Sequence, residues 1–299
     1  MRQTKETSDG LMDFETLKQI YRISVESFLE SAFDKCADNA VTLVGRYIAL
    51  RGGHRWRALV AAAAGQIFDS NSSEIVLPGA AGVELSHAAS LVLDDLPSMD
   101  DATTRRGRPC AHRVFPKWAV DMAPVFLVTL AYKLALANPL ASHERRVRSA
   151  LVVSHAGIEM IAGQSSDVLS TVAENDEEKM MTRYRQKSGA LYSASAEAGA
   201  ILCGALPSCA ERLGFAGMHL GLAYQFLDDV ADATADVKDV GKDTHIDTGK
   251  LTAVNLYGVE GTTKRSFEYQ QQAIEALQGY GKEADCLRQI ISHASWAPS

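Results

Sequence analysis

Small and apolar residues run almost unbroken through AAGVELSHAASLVLDD, residues 80–95, and wound as a helix they cover most of its circumference. Such a helix is stable only where other elements surround it, so the segment reads as an interior helix of a bundle. Its polar exceptions are therefore informative. His87 and Asp94 are seven apart and share a face, separated along the axis by roughly 10 Å. Pro97 has no backbone donor and breaks or bulges the helix just beyond Asp95.

The same period extends outward. Phe14, Leu17, Tyr21, Val25, Phe28, Ala32 and Cys36 step by three and four along one face of an amphipathic helix over 14–36. The segments 41–50, 56–68, 79–95, 119–137, 145–170, 177–205, 210–232, 251–258, 263–279 and 282–293 also read as helices, and strand patterns are nearly absent. Alanine-rich runs such as SASAEAGAIL favour close helix–helix contact. Glycine, proline and charge collect in 51–55, 102–118, 138–144 and 233–250. No linker or repeat divides the 299 residues, so one all-α domain, a bundle of long helices over 1–299, is expected.

A net charge of −7 and a pI near 5.6 argue against a general binder of nucleic acid or anionic membrane. The five cysteines are scattered without metal-ligand spacing, which fits free thiols. A polar N-terminus without an apolar signal core gives a cytoplasmic expectation. The longest apolar stretch, WAVDMAPVFLVTLAYKLAL (118–136), is interrupted by Asp121, Pro124 and Lys133, and is expected as a buried helix or helix pair rather than a membrane span.

Beyond the interior helix, DDLPSMDDATTRRGRP (94–109) packs four aspartates into eight residues, then three arginines into four. Asp94 and Asp100 would diverge by about 120° on a regular helix. Looping out two residues around Leu96–Met99 restores an i, i+4 relation and lets both carboxylates meet one metal. The plain alternative is a solvated helix end with weak surface ion pairs. Against it, clustered carboxylates repel unless a cation or protons intervene. A second group, AYQFLDDVADATADVKDVGKDTHIDTGK (223–250), sets Gln225, Asp228, Asp229 and Asp232 at helical spacing, followed by Lys238, Lys242 and Lys250. Two acidic helix ends trailed by basic residues suit Mg²⁺ bridging carboxylates to phosphates, with Arg and Lys on the remaining oxygens.

From about residue 45 to 258 the chain resembles the trans-isoprenyl diphosphate (polyprenyl) synthases. The resemblance rests on DDLPSMDD with RRGRP, on YQFLDD continuing to GKD and TGK, and on GGHRWR (52–57), MIAGQSSDVL (160–169) and YRQKSGALY (184–192) in the family's order. It implies a central cavity with the aspartate motifs facing each other across its mouth, and a homodimer. It implies Asp94, Asp100 and Asp228 as Mg²⁺ ligands, with Asp95 supporting the first metal site. Arg105, Lys187, Ser188, Gln225 and Lys242 would bind an allylic diphosphate (dimethylallyl, geranyl or farnesyl). His54, Arg57, His87 and Arg106 would bind isopentenyl diphosphate. The implied catalytic set is Asp94, Asp95, Asp100, Arg105, Lys187 and Asp228, acting by ionisation, condensation and elimination without a nucleophile–base pair.

Departures from the family pattern are His54 in place of lysine, Ala58 in place of proline, and VFPKWAVDMAPVFLVT without the usual Gly-Glu and Gly-Asp. Ala89 and Ser90 stand at the implied chain-length floor. With the proline-containing first motif they resemble bacterial geranylgeranyl diphosphate synthases, so a C20 product is expected, with farnesyl diphosphate as the alternative. A non-catalytic regulatory subunit and a terpene cyclase are the readings of other classes. A di-iron bundle needs paired Glu-x-x-His motifs, and only Glu84/His87 is visible. Asp101 and Arg108 receive no role.

Overall fold

The computed structural model describes residues 14–50, 52–234 and 249–293. The fold is all-α. Among the described residues the long helices are α1 (Phe14–Asp34), α2 (Ala40–Ala49), α3 (Trp56–Gln66), α5 (Leu77–Asp94), α7 (Lys117–Leu136), α8 (His143–Val168), α10 (Ala190–Leu202), α11 (Pro207–Thr234) and α12 (Ala253–Glu275). Shorter ones are α4 (Ser72–Ile75), α6 (Ala111–Val114), α9 (Glu177–Tyr184) and α13 (Asp285–His293).

α5 packs on α7 and α3, and α10 packs on α3, α8 and α11, so α3, α5 and α10 form the buried centre. In α3 every residue from Ala58 to Gln66 is buried. Its neighbour α10 approaches so closely that a Cβ on Gly199 would lie 2.0 Å from the Ala61 carbonyl oxygen. The small-residue runs thus bring backbones together, as their composition predicts. α1 buries Phe14, Leu17, Tyr21, Val25, Leu29, Ala32 and Phe33; each large side chain so enclosed contributes about 1.5–3 kcal/mol. Polar ends are satisfied locally. The Asn39 side chain accepts the backbone N–H groups of Val41 and Thr42, both at 3.0 Å, and starts α2.

Three expectations change. Residues 118–136 lie in one helix, one of the two expected forms, but it is not a buried one: α7 buries only the face carrying Ala119, Val120, Ala123, Leu127 and Leu130. Trp118, Met122 and Val125 remain exposed, and by length and composition alone α7 could cross a membrane. The single helix expected over 177–205 is interrupted by a π turn, Arg185–Gly189. The two helices expected in 251–279 are both present as the limbs of α12, which break at Gly258 with φ 67° and ψ 173°. Finally, the loop 102–118 contains a two-stranded hairpin, Thr104–Arg105 against Arg108–Pro109. Its turn residues Arg106 and Gly107 both have positive φ, 53° and 69°, as a tight hairpin of matching twist requires.

Candidate active site

The two-residue loop-out is present. The Asp100 N–H donates to the Asp94 carbonyl at 3.0 Å, spanning six residues where a regular helix spans four. Leu96 accepts the N–H groups of Met99 at 2.9 Å and Asp101 at 3.0 Å, closing the bulge. Asp101 pays the conformational cost with φ 45°, in the left-handed region. Asp94 and Asp100 thereby line one cavity of about 1040 Å³, which Asp228 and Asp232 of α11 also line. Away from the carboxylates the cavity is walled by Ala89 and Ser90 of α5, Val125 and Val128 of α7, and Ile158 and Ile161 of α8.

Within each Asp-Asp pair the two carboxylates have different surroundings. Asp95 is 1% exposed and accepts Arg105 Nε on both oxygens, at 2.7 and 2.9 Å. Asp229 is likewise buried, accepting the Tyr184 hydroxyl, the Ala253 N–H at 2.8 Å and the Gln225 side-chain amide at 2.9 Å. Asp94 and Asp228 are only half-buried. Burial, reinforced by Asp100 and Asp95, outweighs the attraction of Lys187 and pushes the Asp94 carboxyl up to about 6. A carboxylate this reluctant to ionise suits a neighbouring cation.

Asp167 gathers the basic residues of the opposite wall. Lys187 Nζ lies 2.6 Å from it, Lys250 Nζ 3.1 Å and Arg183 Nε 3.3 Å. Burial opposes the Asp167 charge, but Lys187 and Lys250 more than offset it and hold its carboxyl below the usual range. Lys250 also reaches Asp100 at 3.1 Å, tying the bulge to this wall. The π turn presents Lys187, and it approaches α8 where Gly163 has no side chain; a Cβ there would stand 2.6 Å from the Lys187 nitrogen. Ser188 donates its hydroxyl to Gln225 on α11.

A second wall is cationic. Arg55, buried with φ 56°, is taken by Glu26 at 2.6 Å and Glu84 at 3.4 Å, and Glu84 also accepts the Ala58 N–H at 3.1 Å. That leaves Arg57 and Arg106 without an ion pair to a carboxylate among the described residues. The Arg57 guanidinium lies 4.5 Å over the Tyr192 ring, and its buried Nε has no hydrogen-bond partner. Arg106 rests on Gly53, where a Cβ would come within 2.7 Å of its Nη2. Burial and the charges of Arg57 and Arg106 hold His87 well below the ordinary imidazole value, so it is neutral at pH 7. His54 is exposed at the rim of this wall. An anion brought here meets orphaned donors and relieves crowded positive charge.

A family model for polyprenyl synthetase matches residues 38–293. The chain belongs to this family. It is 35% identical over 262 residues to geranylgeranyl pyrophosphate synthase 6, mitochondrial, of Arabidopsis thaliana, spanning 84% of this chain and 77% of that protein. It is 34% identical over 259 residues to a probable farnesyl diphosphate synthase of Sinorhizobium fredii, spanning 84% and 77%. Among solved structures, an FPP/GFPP synthase from Zymomonas mobilis superposes with a TM-score of 0.82 at 27% identity, covering 94% of this chain and 98% of that one. The protein is a prenyltransferase of this family.

In this polyprenyl synthetase, Asp94, Asp100, Arg105, Lys187, Ser188, Gln225 and Asp228 line one cavity with His54, Arg57, His87 and Arg106. Asp95 does not face it; its carboxylate is spent on Arg105. Lys242 lies outside the described residues. No three His, Cys, Asp or Glu side chains among the described residues are gathered closely enough to hold a metal by themselves. The hard carboxylate oxygens that Asp94, Asp100 and Asp228 bring to the cavity fit Mg²⁺, which binds through one or two carboxylates while water and phosphate supply the rest. Asp167, Lys250, Asp229 and Glu84 were not singled out by sequence: Lys250 was read only among the basic residues that trail the second acidic group, and Asp229 only as a member of that group. The matched MIAGQSSDVL and TGK segments contain the first two, and Glu84, a charged residue on an apolar helix, was itself a signal of a buried partner.

Proposed function

We propose that the protein is a Mg²⁺-dependent trans-prenyltransferase that condenses isopentenyl diphosphate with an allylic diphosphate and releases geranylgeranyl diphosphate, C20. The observation that carries this reading is one cavity with two differently built polar walls and an apolar arm. Asp94, Asp100 and Asp228 would hold Mg²⁺, with Asp95 acting on that site only through Arg105. Bound Mg²⁺ would supply Lewis-acid neutralisation of the allylic diphosphate. Lys187 and Lys250 would exchange Asp167 for diphosphate oxygens, and with Arg105 they would stabilise the negative charge that builds as the allylic C–O bond breaks. Arg57, His87 and Arg106 would hold isopentenyl diphosphate so that its double bond faces the allylic carbon. Its π electrons form the new C–C bond, and the proton lost from the adjacent carbon passes to the departing pyrophosphate. The apolar arm keeps water from the intervening cation.

Ala89 and Ser90 leave the arm wide beside the first aspartates, which supports a C20 product, as do the geranylgeranyl names of several relatives. The farnesyl name of the Sinorhizobium relative favours C15 as the second reading. Incubating the enzyme, Mg²⁺ and isopentenyl diphosphate with each primer separates them: C20 is expected, and a product that stops at C15 from every primer overturns it. Ala89→Phe should shorten the product.

A further inference from the structure

The wall that faces isopentenyl diphosphate has a weak point at His54, and α1 covers it. Three contacts fasten α1 to Arg55 and Trp56 at the start of α3. Glu26 pairs with Arg55 at 2.6 Å, the Phe14 ring stacks on Trp56 with centroids 6.3 Å apart, and Lys18 Nζ lies 5.6 Å over the Trp56 ring. Lys18, Arg22 and Glu26 follow at i, i+4 and i+8, so they form one stripe with about 6 Å between successive positions. With Lys18 over Trp56 and Glu26 on Arg55, the stripe sets Arg22, between them, on the side of the neighbouring His54, whose ring is 6.2 Å from that of Trp56.

The electrostatics agree with that placement. After burial, Arg22 is the strongest influence holding the His54 imidazole below its ordinary value, ahead of Lys18 and Arg106. Arg22 is exposed and forms no ion pair among the described residues, since Glu26 is committed to Arg55. Lys18 is less available: it lies over two rings and 4.0 Å from Glu15. His54 itself lines the cavity, next to Gly53 and Arg106. A long, exposed guanidinium side chain therefore stands beside the histidine that lines the cavity rim, where the resemblance expects a lysine.

We propose that Arg22 reaches past His54 to the diphosphate of isopentenyl diphosphate and is a binding residue of that wall. The inference rests on the proposed function. Guanidinium forks bind phosphate oxygens in pairs, and an exposed arginine folds onto an anion without breaking an existing ion pair.

The test is a double-mutant cycle read by calorimetric titration of isopentenyl diphosphate and by KM for each substrate. Arg22→Ala should weaken isopentenyl diphosphate about tenfold while leaving KM for farnesyl diphosphate within about twofold. Arg22→Lys should keep most of the affinity. In a His54→Lys background, where the loop supplies its own ammonium, Arg22→Ala should cost only about twofold. Unchanged affinity in Arg22→Ala overturns the inference, and so does an equal loss in both backgrounds, which would mark a diffuse field or a packing effect. Wild-type protein that binds no isopentenyl diphosphate sinks the proposed function and this inference with it.

Discussion

Asp94 and Asp95 are the same side chain one residue apart, and the fold gives them opposite work. Asp95 is buried against Arg105, so Asp95→Asn strands a guanidinium and should cost about 2 kcal/mol of stability in thermal or urea unfolding. Asp94 is crowded by burial and by Asp100, which lifts its carboxyl to about 6. A raised carboxyl means that ionisation works against the fold. The contribution of Asp94 is most favourable below its unfolded value and is lost as pH rises through about 6. Asp94→Asn should therefore raise the melting temperature of the metal-free protein at pH 8 while abolishing prenyl transfer. Because Mg²⁺ needs the ionised form, its apparent affinity should fall about tenfold per unit below pH 6 and level off above it. Calorimetric Mg²⁺ titrations between pH 5 and 8 check this; an affinity that does not change across the range removes Asp94 from the metal site.

At the scale of elements, the bulge after α5 turns sequence spacing into geometry, and its logic is helical phase. Removing Pro97 and Ser98 together would return Asp94 and Asp100 to i, i+4 on a continuous helix, and kcat/KM should stay within about tenfold of the wild type. Removing Ser98 alone turns Asp100 by about 100° from that register, and activity should be lost. Loss in both variants would show that the bulge does more than restore phase. This element was legible because Pro97 and the six-residue interval state the problem and its solution. The π turn was not. YRQKSGALY has ordinary helical composition, and the close passage of α8 at Gly163, which accompanies the widened turn, comes from a segment some twenty residues away. Asp229 was illegible for the same reason, since its partners Tyr184 and Ala253 come from α9 and α12. Periodicity reads which residues are inside; it cannot read which polar side chains meet there.

At the scale of the whole molecule, the apolar arm of the cavity is open. Val125, Ile158 and Ile161 line it, yet they are 70%, 62% and 70% exposed. They continue along stripes of exposed apolar residues, Trp118 and Met122 on α7 and Leu151 on α8. An exposed apolar face of this kind needs a cover, and a growing prenyl chain needs its arm closed from water. A second copy of the chain meets both needs at once, whereas a net charge of −7 disfavours an anionic membrane surface. Ile158→Asp places a carboxylate in the middle of the face. The wild type should run as a dimer by light scattering, and the variant as a folded monomer with unchanged helical circular dichroism. Its product should shift toward shorter chains as the arm loses its cover. A variant that stays dimeric with unchanged product length would put the subunit contact elsewhere. Wild-type protein that floats with lipid vesicles, and is released by the same substitution, would assign the face to a membrane instead.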